Sequence, residues 1–155
     1  MSVAFRRDCD EEHLEPRFEL PIPAGPNLVT TTGLAQIAAR VEALESEVAA
    51  EADPPTLEAA KRTLRYWRTR LATAQLAPPP PAGQAGFGSR VRFRMGGQER
   101  VIDIVGGDEA DPAAGRLAFT APLARALIGA QAGESFDFAG RSDAIEVVSI
   151  GEITA

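Results

Sequence analysis

Residues 34–74 carry two runs of apolar side chains spaced three and four apart, and a chain patterned in this way has few ways to fold. Leu34, Ile37, Val41, Leu44 and Val48 make the first run. Leu57, Ala60, Leu64, Trp67, Leu71 and Ala74 make the second. That spacing gathers one apolar stripe on each of two helices, as in a heptad seam. Asp53-Pro54-Pro55 separates them, because proline ends one helix and suits the first turn of the next. Thr30, Thr31 and Thr32 offer caps for the first helix. Two helices on so short a link pack antiparallel. The expectation is a coiled-coil hairpin with arms of about 18–20 residues, roughly 30 Å long at 1.5 Å per residue. A lone helix of this length is marginal in water, so each stripe needs the other. The closed seam leaves no stripe for a second copy, and a monomer is expected.

Beyond the helices the period changes. Pro78 to Pro81 reads as a stiff linker of polyproline type, followed by Ala82 to Gly86. Arg90 to Arg94 then alternates with period two, Gly96-Gly97 makes a hairpin turn, and Glu99 to Val105 returns as a strand. Arg116 to Phe119 is a short strand. Pro122 to Ile128 is a short helix, capped by Thr120 or Ala121 and stopped by Gly129. Glu134 to Phe138 and Ala144 to Ile153 are two further strands. The result is a small α+β domain, a twisted sheet with one helix over a face. Leu127 and Ile128 are expected in its core, with most of Phe87, Phe93, Phe119, Phe136 and Phe138. Ahead of the helices, residues 1–29 hold six acids, three arginines and the prolines Pro16, Pro21, Pro23 and Pro26. They read as an extended or disordered tail whose apolar spots, Phe18, Leu20, Ile22 and Leu28, offer docking points. The chain thus divides into a tail at 1–29, a helical hairpin at 30–77, a linker at 78–85 and an α+β domain at 86–155.

Charge narrows the function. With 22 Asp and Glu against 16 Lys and Arg, the net charge is −6. That balance argues against nonspecific binding of nucleic acid or an anionic membrane by the whole surface. No apolar run approaches the roughly 20 residues that span a bilayer, and the acidic start has no hydrophobic signal region. A cytoplasmic protein is expected. Cys9 is the one cysteine and His13 the one histidine, which excludes disulfide frameworks, Cys-rich zinc sites, His-based triads and multi-His metal sites. A metal held by Cys9 and His13 would need ordered ligands, and the proline-rich tail gives no sign of order. Phosphate-cradling glycine motifs are missing. The sequence therefore reads as a non-enzyme with no cofactor and no resident metal.

Two charged features remain. The first arm holds Glu42, Glu45 and Glu47 against Arg40; the second holds Lys61, Arg62, Arg65, Arg68 and Arg70 against Glu58. This is either a solvated face with weak cross-arm pairing or a basic strip for phosphates. Acids also cluster at the hairpin tip (Glu47, Glu51, Asp53) and in the loop Asp108, Glu109, Asp111. Acids at turns commonly solubilise, while a carboxylate pair on a projecting tip can hold a metal ion inside a partner's site.

The domain's motifs run in a familiar order. Phe87-Gly88-Ser89-Arg90-Val91 is followed by Ile104-Val105-Gly106-Gly107-Asp108-Glu109-Ala110-Asp111, then Gly115-Arg116-Leu117, then Pro122 to Gly129. The series resembles the C-terminal domain of the bacterial Gre transcription elongation factors, with Thr120-Ala121-Pro122 in place of a Ser-Pro pair. Thr30, Gly33, Ile37 and Val41 resemble the start of the Gre hairpin, and Arg70-Leu71 with Ala74-Gln75-Leu76 its second helix. The tip departs from the family: Ala49 to Leu57 does not align with the acidic Gre segment that supports a catalytic magnesium in the polymerase. The first arm is shorter by about two heptads, or roughly 20 Å of reach, which is similar to the Rnk-type regulators.

The resemblance implies an FKBP-like fold for the domain and docking on RNA polymerase at the rim of the secondary channel. FKBP-like folds also occur in prolyl isomerases, but fold alone does not carry that activity. Asp108, Glu109, Asp111, Thr120, Pro122 and Leu123 would form the docking surface, with acids meeting basic or amide groups and the Pro-Leu corner filling an apolar hollow. Lys61, Arg62, Arg65 and Arg68 would face RNA, DNA or the channel wall. The expected role is elongation control without transcript cleavage; the alternative is a cleavage factor acting through an atypical tip, Glu51 and Asp53.

Overall fold

The computed structural model describes residues 19–153. Phe18, Cys9 and His13 lie outside them. A two-residue strand β1 (Leu28–Val29) leads into helix α1 (Thr31–Ala50). The Thr30 hydroxyl accepts from the Gly33 N–H and caps it. Residues 51–53 turn the chain, and α2 (Pro54–Thr73) begins with proline in its first turn and Asp53 as its cap. Ile37, Val41, Leu44, Ala60 and Leu64 are buried along the facing stripes. Val48, Trp67 and Leu71 close over Val41, Leu44 and Leu64. The two helices therefore pack along the seam that the spacing predicts.

A second short strand, β2 (Gln75–Leu76), follows α2 and pairs in parallel with β1, Leu28 opposite Gln75 and Val29 opposite Leu76. The tail expected at 1–29 therefore loses its last three residues to ordered structure. Asn27 and Val29 are buried, and Leu28 is a strand residue rather than a docking point. Leu20 and Ile22 are 43% and 46% exposed.

The second half is one five-stranded sheet. Its strands are β3 (Ser89–Met95), β4 (Gln98–Val105), β5 (Arg116–Ala118), β6 (Ser135–Phe138) and β7 (Arg141–Glu152), in the spatial order β5-β4-β3-β7-β6. Gly96 and Gly97 join β3 to β4 with φ of 61° and 76°, the two left-handed conformations that a tight hairpin turn requires. All pairings are antiparallel except β4 with β5. A 3-10 turn (Pro112–Ala114) precedes β5, and helix α3 (Pro122–Leu127) follows it. Inward side chains Val91, Phe93, Ile102, Ile104, Ile145 and Val147 meet Ala124 and Leu127 of α3 in one core. Ala85, expected in the linker, is buried in that core; its N–H donates to the Ala130 carbonyl and its carbonyl accepts from the Gly129 N–H, both at 2.8 Å. Ile128, expected beside Leu127, is 43% exposed. The helix is only six residues long and ends at Leu127, so Ile128 is extended and turns outward.

Candidate functional site

The loop that leaves β4, Gly106 to Asp111, meets both helices, and its acids reach them through separate contacts. Asp108 lies between two side chains of α2. The Arg70 Nε donates to its Oδ2 at 2.5 Å and the Tyr66 hydroxyl to its Oδ1 at 2.7 Å. The Arg70 and Asp108 side chains are 6% and 11% exposed. Tyr66 and Arg70 stand four apart, on neighbouring turns of one helix face, so α2 presents them together. Burial, and secondarily the hydrogen bond to Asp108, pushes the Tyr66 phenol up to about 12. Glu109 is 8% exposed and accepts from the Thr30 hydroxyl, the same hydroxyl that caps α1. One threonine thus caps the start of the helix and binds the loop.

The backbone completes the joint. Gly106 is buried, and a Cβ added there would stand 2.3 Å from the Leu28 carbonyl oxygen. Only a residue without a side chain lets β1 approach so closely. The Asn27 amide donates to the Arg70 carbonyl at 2.7 Å and to the Thr73 hydroxyl at 3.2 Å, while the Gln75 N–H bonds the Asn27 carbonyl at 2.9 Å. Helices, β1 and sheet loop are tied into a single network.

This placement redistributes the acids expected to dock. Asp108 and Glu109 face inward and hold the molecule together. Asp111 is exposed, 3.4 Å from Arg116. Thr120 and Pro122 are exposed and Leu123 half-buried against the domain core. Asp111 bridges the start of β5 at Arg116, and Thr120 lies just past its other end. The exposed part of the expected docking set therefore flanks one short edge strand.

Tip and strip are also largely occupied. Glu51 accepts from the Asp53 N–H at 2.9 Å, and Asp53 Oδ2 takes the Thr56 N–H at 3.2 Å and hydroxyl at 2.5 Å. Both carboxylates shape the turn and cap α2. Along the strip, Lys61 lies 3.5 Å from Glu58, Arg65 2.6 Å from Glu19 and Arg68 3.1 Å from Glu45. These pairs are exposed, and each contributes little to stability.

Residues 80–154 match the family described as transcription elongation factor, GreA/GreB, C-terminal domain. This chain carries a Gre-family C-terminal domain. Two proteins named transcription elongation factor GreA are similar to it. That of Allorhizobium ampelinum is 42% identical over 55 residues, covering 34% of this chain and 35% of the relative. That of Rhizobium etli strain CIAT 652 is 38% identical over 68 residues, covering 41% and 43%. The matched region thus spans less than half the length of either relative. Among solved structures, the GreA factor homolog 1 protein of Thermus thermophilus aligns over 82% of this chain and 99% of its own, at 19% identity and a TM-score of 0.38. In the Gre domain described here, the glycine and acid motif after β4 is the joint to the helices. The sequence alone points Asp108 and Glu109 to the surface and does not reveal Tyr66, Arg70 and Thr30 as their partners, nor Asn27 as part of the same joint. The available signal was a tyrosine and an arginine four apart beside the α2 seam.

Proposed function

We propose that this protein regulates transcription elongation by binding RNA polymerase at the rim of the secondary channel. Its Gre domain, read as FKBP-like, is the anchor, and its helical pair, read as a coiled-coil hairpin, points into the channel. The match of residues 80–154 to the GreA/GreB C-terminal domain carries the proposal. Asp111, Thr120, Pro122 and Leu123 form the anchoring surface. Asp111 offers a carboxylate to a basic partner group, and Pro122 with Leu123 offers an apolar corner. Asp108 and Glu109 contribute indirectly by setting the direction of the helices. The basic strip of Lys61, Arg62, Arg65 and Arg68 faces nucleic acid or the channel wall, with no contact to a membrane. The protein acts as a monomer in the cytoplasm and has no catalytic activity of its own.

The tip supports a role without transcript cleavage. Glu51 and Asp53 already accept backbone and hydroxyl protons that fix the turn. Recruiting them to a polymerase metal would uncap α2. Channel occupancy by itself suffices to compete with longer channel factors.

Retention of core RNA polymerase by the tagged full chain tests this reading. The wild type is expected to bind, and the Asp111→Ala, Thr120→Arg double variant to lose binding at unchanged melting temperature, since both residues are exposed. No retention by the wild type would overturn the proposal. RNA shortening in a backtracked complex, abolished by Glu51→Ala with Asp53→Ala, would replace it with the cleavage reading.

A further inference from the structure

Residues 19–27 lie alongside α2 and are held at their two ends by unlike contacts. At one end Asn27 is buried and bonded to Arg70, Thr73 and Gln75. At the other, Glu19 receives a forked bond from Arg65, Nε at 2.9 Å and Nη2 at 2.6 Å. Both partners are exposed, at 49% and 61% of their side chains. Between these ends the backbone has no helix or strand. Pro21, Pro23 and Pro26 lack N–H donors, and Gly25 bends the chain at φ 90°. The segment thus has a firm root at Asn27 and a weaker tie at Glu19.

We infer that this segment is a detachable strap, in which Glu19 covers Arg65 until a nucleic-acid strand takes that guanidinium. The inference rests on the reading of the basic strip as a face that meets nucleic acid. A guanidinium grips carboxylate and phosphate with the same planar fork. Glu19 therefore occupies the two donors that a phosphate would use. The hydrogen bond from Arg65 holds the Glu19 carboxyl below its ordinary range, so it is charged at neutral pH. Arg62, one turn away, adds its positive field at the same carboxylate. An exposed ion pair is weak enough to be exchanged, and the buried Asn27 root keeps the released strap attached.

Fluorescence anisotropy with a short single-stranded RNA oligonucleotide and the full chain tests the strap. Glu19→Gln is expected to tighten binding at low salt by about two- to five-fold. Its plot of log affinity against log salt should be steeper by about 0.7, the contribution of one more neutralised phosphate on a single strand. Arg65→Gln should abolish the gain, so that Arg65→Gln and its double variant with Glu19→Gln bind alike. A gain that persists without Arg65 would overturn the strap as a specific cover. Unchanged affinity in Glu19→Gln, with weaker binding in an Arg62→Gln variant, would overturn the strap and leave the basic strip standing. Absence of binding by both wild type and Glu19→Gln would overturn both.

Discussion

Replacing Asp108 with alanine should be among the most damaging single changes to the joint. The Arg70 residue is 5% exposed, and its partner carboxylate is nearly as enclosed. Removing one member of a buried pair leaves the other charge without compensation, which typically costs about 3–5 kcal/mol. Loss of the acceptor for the Tyr66 hydroxyl adds about 1 kcal/mol. Water entering beside the half-buried Tyr66 offsets part of this, so a net loss of about 3 kcal/mol is expected. In a chain of 155 residues, each kcal/mol moves the melting temperature by about 2–4 °C. Scanning calorimetry at neutral pH should therefore show a fall of about 6–12 °C. Arg70→Met combined with Asp108→Leu removes both charges and should recover most of that loss. The double-mutant cycle should give a coupling above about 1 kcal/mol. An Asp108→Ala protein melting within about 2 °C of wild type would refute the claim that this pair is desolvated.

Two further changes probe the same region. Gly106→Ala places a Cβ against the Leu28 carbonyl, so β1 must move; a loss of about 1–3 kcal/mol is expected, with faster hydrogen exchange at the Gln75 amide. Wild-type protection of that amide would show that the close approach is not needed. Tyr66 is the one tyrosine in the chain, and ultraviolet titration should find its phenol ionising near 12 rather than near 10. Its raised value means that its stabilising contribution is complete below about pH 10 and is lost as pH rises through about 12; an ordinary titration near 10 would place its hydroxyl in water.

The helices were legible because their chemistry is local. Leu34 to Val48 and Leu57 to Ala74 state their period within one segment, and Thr30, Asp53 and Pro54 mark the ends beside it. The sheet was legible for the same reason, through alternation and the Gly96-Gly97 turn. The joint was not. Thr30 and Glu109 are 79 residues apart, and Asp108 lies 42 and 38 residues from Tyr66 and Arg70. No periodicity spans such distances, and an acid in a glycine-containing loop looks solvent-facing until its partners are placed. Leu28 and Val29 look like tail in the sequence because a two-residue strand is too short to show alternation. Ile128 failed differently: apolar character identified a core residue where helix length decided the direction of the side chain.

The pairing of β1 with β2 has a mechanical consequence. The chain enters the helices through β1 and leaves them through β2, and the two crossings are bonded to each other. A projection attached by one strand would pivot freely, whereas one mounted at two joined points resists torsion about either. Each helix is 20 residues long, so the turn at Glu51 to Asp53 stands about 30 Å from this mounting at 1.5 Å per residue. One degree of tilt at the base then displaces the turn by about 0.5 Å. The aim of the far end is accordingly decided at the base, by Gly106, Asp108, Glu109 and the side chains that clasp them.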